Sequence, residues 1–193
     1  NGGATSITIG AANGVTDQII QHGTSTGAVS ITNFNAGSTA GDAIDLSFGG
    51  LNAGFTGTDL NTLVSNTSLA ATTTIVLDTI TVGAYDLAGA TSSENILVLN
   101  GDFALASMAL TAVAAGGTFA LQVDGATTAA DSILVAWDDG SNSYLGVLSD
   151  SAIIADNAAY AVATTTLEVA VTFVGVSDVT TLDAANYGTA MIA

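Results

Sequence analysis

The side chains in this sequence that could do chemistry are Asp and Asn residues grouped with Gly in three short segments. One is Asn13-Gly14-Val15-Thr16-Asp17. A second runs from Asn33 through Asn35, Gly37 and Gly41 to Asp42 and Asp45. The third is Asp138-Asp139-Gly140-Ser141-Asn142, with Asp131 upstream. Ca²⁺ takes roughly six to eight oxygens from carboxylates, amide and backbone carbonyls and water, in loops where Gly lets the chain wrap closely. The candidate ligands are therefore Asp17, Asn33, Asp42, Asp45, Asp131, Asp138, Asp139 and Asn142. For each segment the competing reading is a solvated turn.

Other chemistries fit the residues less well. Gly23-Thr24-Ser25-Thr26-Gly27 matches the G-x-S-x-G nucleophile pattern, and His22, the only histidine, stands beside it. That chemistry needs a strand–turn–helix elbow and a base reached from elsewhere in the chain. Here the alternating run Ala28-Val29-Ser30-Ile31-Thr32 follows, so a turn into a strand is expected. A zinc centre needs clustered His and Cys, and a P-loop needs a Lys after its glycines; the chain has no Cys and no Lys. Paired carboxylates could hydrolyse a glycoside, but one Trp and four Tyr offer little surface for stacking sugars. The expectation is a protein without catalytic activity, with hydrolase as the rival.

Charge sharpens the picture. Among 193 residues there are fifteen Asp and two Glu against no Lys, no Arg and one His, a formal net charge of −17. No carboxylate can pair with Lys or Arg anywhere. Two carboxylates about 4 Å apart repel by roughly 4 kcal/mol at an effective dielectric near 20. The acidic groups must be spread into solvent, be protonated, or share a cation from outside. Without basic groups to displace phosphate counterions, nucleic acid is not an expected partner, nor is anionic lipid. A mean hydropathy of +0.58 separates the chain from acidic disordered sequences. No apolar run approaches the roughly 20 residues of a membrane span, so no membrane insertion is expected.

Positioning these residues falls to strands. Thr, Ser, Val and Ile dominate, in short runs punctuated by Gly, Asn and Asp. Strands are predicted over 6–9, 18–21, 28–33, 43–48, 73–82, 95–99, 118–123, 132–137, 144–148 and 166–174. The apolar runs 133–137 and 144–148 flank an Asp-Gly turn and make the clearest hairpin. One Ala-rich helix is predicted over about 103–115, with Asp102 as N-cap and Gly116-Gly117 as stop. Further helical turns are expected at 182–187 and near 60–64. The fold class expected is mainly β, a β-sandwich or β-roll-like domain with this helix packed on a sheet. The domain spans 1–193 with a loose seam near 84–94. Residues 31–46 and 172–187 share a faint pattern of strand, Asp/Gly turn and apolar segment.

The run Ile31-Thr32-Asn33-Phe34-Asn35-Ala36-Gly37, followed by Gly41-Asp42-Ala43-Ile44-Asp45-Leu46-Ser47, resembles a segment of another family. In bacterial proteins exported by type I secretion, such a segment follows calcium-binding glycine/aspartate (RTX-like) repeats. This chain has Asn33 where that family usually has Asp, a longer spacer before Asp42, and no tandem array. The strand 95–99, the Ala-rich helix, the hairpin 131–148 and the closing segments 173–179 and 182–187 are similar to the C-terminal regions of large acidic type I-secreted surface proteins, some of them S-layer proteins. The resemblance implies export through an uncleaved C-terminal signal, residence at the bacterial cell surface, and Ca²⁺-linked folding. The function expected is an extracellular self-assembling structural protein, a surface-layer or filament subunit. The alternative is a secretion, carrier or adhesin module of a larger secreted protein. The partner expected is the chain itself, with cell-surface polysaccharide as a second candidate.

Overall fold

The computed structural model describes residues 5–10, 16–19, 28–37, 41–45, 59–60, 77–80, 85–86, 96–122, 131–155 and 158–188, and the fold is mainly β. The strands are β1 (Thr5–Thr8), β2 (Gln18–Ile19), β3 (Val29–Thr32), β4 (Ala43–Asp45), β5 (Asp59–Leu60), β6 (Leu77–Ile80), β7 (Tyr85–Asp86), β8 (Ile96–Asp102), β9 (Leu121–Gln122), β10 (Asp131–Asp138), β11 (Ser143–Asp150), β12 (Thr165–Val174) and β13 (Tyr187–Gly188). One helix, α1 (Ala106–Val113), lies between β8 and β9, and two 3₁₀ turns (Val179–Thr181 and Ala184–Asn186) lie between β12 and β13.

The main sheet runs β1-β3-β12-β11-β10-β8-β6, with β5 also paired to β10. Only β11 is antiparallel to its neighbours; every other adjacent pair is parallel. Parallel strands need both faces covered, and the core divides accordingly. Ile96, Val98, Leu134, Ala136, Leu145, Val147, Val171 and Phe173 point to one face. Leu97, Leu99, Ile133, Val135, Trp137, Leu148 and Leu167 point to the other, against Ala109, Ala112 and Val113 of α1. This is why 96–99 and 133–137 read as unbroken apolar runs rather than alternating ones.

A second, three-stranded sheet, β13-β4-β2, is parallel throughout and contributes to the first of these cores. Together the two sheets make a short coil. The chain passes from β1 to β2, from β3 to β4, and from β12 to β13, each time leaving the main sheet and entering the small one. The three passes stack as rungs in register: Ile7, Ile31 and Phe173 align on one side, and Ile19, Ile44 and Tyr187 on the other. Phe34 packs on Phe173 with ring centroids 4.6 Å apart, and Phe173 meets Tyr187 edge-on at 6.5 Å. The faint likeness between 31–46 and 172–187 thus has a structural counterpart in two neighbouring rungs. At the corner, Asn33 and Gly175 occupy equivalent places and both take left-handed backbone, φ 66° and 86°, a conformation that Asn and Gly tolerate best.

Several local expectations shift. The helix begins at Ala106, not 103, and Leu105 stands at its N-cap without a side-chain hydrogen bond. Asp102 is not the cap: it ends β8 in register with Asp138, and the next residue, Phe103, donates its N–H to Asp138 O. Tertiary pairing overrides the local capping signal. Thr118 and Phe119 lie in a turn, leaving only Leu121–Gln122 as strand. Leu60 is in β5 rather than a helical turn, and residues 61–64 lie outside the described residues. In the region of the expected seam, Tyr85–Asp86 pair with β9.

Candidate functional site

Every strand of the main sheet except β11 runs the same way, so their C-terminal ends gather at one edge of the fold. Asp102 closes β8, Asp138 closes β10, and the hairpin turn carrying Asp139 and Asn142 joins them. Asp178 follows β12 by a short loop. The third predicted segment is therefore assembled at this acidic end, with Asp102 and Asp178 added.

The carboxylates here take their partners from backbone amides. Asp138, 5% exposed, accepts from Gly140 N–H at 3.0 Å and from Val179 N–H at 3.0 Å. Asp139 accepts from Ser141 and Asn142 N–H at 2.8 and 2.7 Å, and from the Tyr144 hydroxyl. Asn142 turns its Oδ1 to Gly175 N–H at 3.1 Å, tying the hairpin to the corner after β12. Asp178 and Asp183 cap the two 3₁₀ turns. In a chain with no Lys or Arg, amide N–H groups supply the counter-charge for these carboxylates.

Asp138 and Asp102 strain this arrangement. Burial pushes the Asp138 carboxyl above the ordinary aspartate range; the amides of Val179 and Gly140 pull it down, and the neighbouring Asp102 carboxyl raises it further. For Asp139, burial works upward, but the Tyr144 hydroxyl and the Asn142 and Ser141 amides outweigh it and hold the group low. The two therefore act oppositely on stability. Because the folded state binds the Asp138 proton more tightly than the unfolded chain does, stability falls as pH rises from the ordinary aspartate range through its folded pKa. Asp139 adds stability above the ordinary range, and this is lost as pH falls through its lowered pKa. Asp102→Asn removes the repulsion. Thermal melts in EDTA should show a gain of up to about 1 kcal/mol at pH 7 and none well below the aspartate range, where the Asp138 carboxyl carries no charge to repel. An equal gain at both pH values would refute the repulsion.

The second predicted segment forms the corner of the middle rung. Asp42 is buried and accepts from Asp17 N–H at 3.0 Å and Asn35 N–H at 2.8 Å. Its own N–H donates to Asn35 O, and its carbonyl accepts from Asn186 Nδ2 at 2.7 Å. One carboxylate thus holds the first rung to the second, and Asn186 holds the second to the third. Asn33 donates from Nδ2 to Ile9 O at 3.1 Å, another bond between rungs. Asp17 and Asp42, read from the sequence as members of separate segments, meet here through the Asp17 backbone amide.

Two candidates stand apart. Asp131 begins β10, about 23 Å from Asp138 at roughly 3.3 Å per residue, and pairs with Asp59; it does not join the hairpin turn. Asp45 ends β4 beside Gly188. Among the described residues no three His, Cys, Asp or Glu side chains converge as a metal cage. His22 and the Gly23–Gly27 pattern lie outside the described residues. A groove of about 480 Å³ beside α1 is lined by Phe103, Ser107, Met108, Thr111, Ala112 and Gly116–Thr118, with no titratable group among them. Among the described residues no helix is long and apolar enough to cross a membrane.

The pairing of Asp102 with Asp138 was not visible in the sequence, because parallel strands bring together residues that no local motif links. No family model, curated protein or solved structure matches the chain.

Proposed function

We propose that this protein is an extracellular, non-catalytic structural subunit that assembles with copies of itself, and that Ca²⁺ drives both its folding and its assembly. The observation that carries this is the charge balance at the acidic end. The amides there already serve Asp138 and Asp139, Asp102 opposes Asp138, and the sequence holds no Lys or Arg to neutralise what remains of a net charge of −17. Further neutralisation has to come from solution. Asp102 and Asp138, the neighbouring carboxyls that oppose each other, are the pair a cation would neutralise at this end, with Asp42 the acidic group at the rung corner. In the Ca²⁺-poor cytosol the chain would stay export-competent; outside, the ion would relieve repulsion between acidic ends within and between copies. Export by type I secretion and residence on a bacterial surface belong to the same proposal and rest on the sequence resemblance.

An extracellular-type site with a Kd of about 10⁻⁴ M in millimolar Ca²⁺ contributes about 1.4 kcal/mol by mass action. More than one is therefore needed for a switch. The test compares purified protein in Ca²⁺ and in excess EDTA by circular dichroism melting, light scattering and negative-stain microscopy. Expected is a lower Tm and loss of ordered particles on chelation, restored by Ca²⁺. Unchanged melting and unchanged particle size would overturn the proposal. A Ca²⁺-stabilised monomer would instead identify a carrier or adhesin module.

A further inference from the structure

α1 covers one face of the main sheet with Ala109, Ala112 and Val113, and its outward side carries no charge. Between Asp102 and Asp124 the sequence has no charged residue, although the whole chain carries −17. A surface helix ordinarily turns charged side chains to solvent, and one that is apolar on every side is covered on every side. This helix turns outward Met108, 48% exposed, and at its start Leu105, 62% exposed. Its two polar side chains are Ser107 and Thr111, and the Thr111 hydroxyl already donates to Ser107 O at 2.8 Å.

The same surface holds a hollow. After the helix the chain doubles back, so that Phe119 N–H donates to Ala112 O at 2.8 Å. The groove of about 480 Å³ lies between this returning segment and the helix, with Ser107, Met108 and Thr111 along it. Leu105 is outside the lining and projects as a knob beside it. Knob and hole on one patch are what a two-fold contact requires, because the same residues then meet on both partners.

Charge indicates what covers this patch. A basic partner is drawn to the carboxylates, not to a charge-free face. A second copy, equally negative, approaches with least repulsion where carboxylates are missing. The helix ends add complementarity. α1 has no acidic residue in its first turn, no basic residue in its last and no side-chain cap. None of its own side chains therefore offsets the positive partial charge at its N-terminus or the negative one at its C-terminus. An antiparallel second α1 sets each end beside the opposite end of its neighbour.

From this we infer that two copies of the chain pair through α1, antiparallel about a two-fold axis, with Leu105 of each seated in the groove beside the other's Met108 and Thr111. The inference rests on the self-assembly proposed above and specifies one of its contacts. A two-fold contact closes at the dimer, so the dimer is the building block, and growth beyond it falls to the acidic ends and Ca²⁺.

The test uses full-length variants in Ca²⁺. Thr111→Cys puts a single thiol near the axis of a chain with no cysteine of its own. A bis-maleimide spanning roughly 10 Å, the separation of packed helix axes, should join it into covalent dimers and nothing larger, even within larger particles. Ser151→Cys, exposed just beyond β11, should give none. Met108→Glu places a carboxylate in the first turn, where it suits the helix dipole. In dilute solution, with the parent dissociated, the two should melt together, while dimer capture in the Thr111→Cys background falls by about tenfold or more. Met108→Leu should keep it. Particles that form without Thr111→Cys crosslinking, or crosslinking that survives Met108→Glu, would overturn the α1 contact and leave self-assembly standing. A lower melt of Met108→Glu in dilute solution would mean that Met108 packs within its own chain, and would overturn the contact too. A parent protein that stays monomeric in Ca²⁺ would overturn both readings.

Discussion

Asp42→Ala is expected to unfold the three-rung coil, lowering stability by about 3–5 kcal/mol, or about 10–15 °C in Tm for a chain of this size. Asp42 is 3% exposed and its carboxylate takes the N–H groups of Asp17 and Asn35, one from the preceding rung and one from its own corner. Alanine takes this acceptor away from both part-buried amides, and enclosed donors that lose a partner cost about 1–3 kcal/mol each. Asn at this position keeps one acceptor and should fall between parent and alanine. Asp178→Ala is the control: its carboxylate caps an exposed 3₁₀ turn, so its loss should cost about 1 kcal/mol. Thermal melts rank the three, and hydrogen exchange should accelerate at the Asp17 and Asn35 amides only in the Asp42 variants. If Asp42→Ala melted with the parent, the carboxylate would not be what joins the rungs.

Gly146→Val is expected to cost about 3 kcal/mol or more, and Gly146→Ala about 1–3 kcal/mol. A Cβ at this position would lie 2.8 Å from the Trp137 ring, 2.9 Å from the Glu168 carbonyl oxygen and 3.0 Å from Leu167 Cδ1. Gly146 faces Val135 on one side and Val169 on the other, where a bulge in β12 lets the strand pass Leu145 and Gly146 out of step. The ring cannot yield freely: Trp137 is fully buried and stacked on Tyr144 at 5.4 Å. Trp137→Phe should recover part of the loss in the Gly146→Ala background, and only part, because the Glu168 carbonyl belongs to the backbone. As Trp137 is the only tryptophan, its emission reports the displacement directly. Equal melting of parent and Gly146→Val would show that the core here is looser than these contacts require.

Both substitutions test features that differ in how far the sequence announced them. Gly146 was read as one residue of an apolar strand, and that strand, its partner and the Asp-Gly turn between them are where local pattern placed them. Hairpins are legible because their pairing is local: two apolar runs and a turn residue define the register. Asp42 was singled out as a cation ligand from the company of Asn, Gly and Asp. The same residues serve equally well as amide acceptors at a tight corner, and residue type alone does not separate the two uses. Asp102 shows a different limit of local reading. A short acidic residue before an Ala-rich run is a good cap, yet β8 continues through it and the helix starts later.

The amino-acid sequence by itself determined the strand-rich character, an Ala-rich helix after residue 102, the hairpin at 131–148 and the electrostatic predicament of many carboxylates with no Lys or Arg. All of these follow from composition and from periodicities a few residues long. Only the tertiary structure decided that segments more than a hundred residues apart stack as rungs, that Asp138 faces Asp102, and that β1 and β6 at the two ends of the main sheet point the same way. Parallel pairing links residues with no turn between them to advertise the register. Its information is spread over inward-facing side chains such as Ile31 and Phe173, whose match becomes visible only once the chain has come back to lie beside itself.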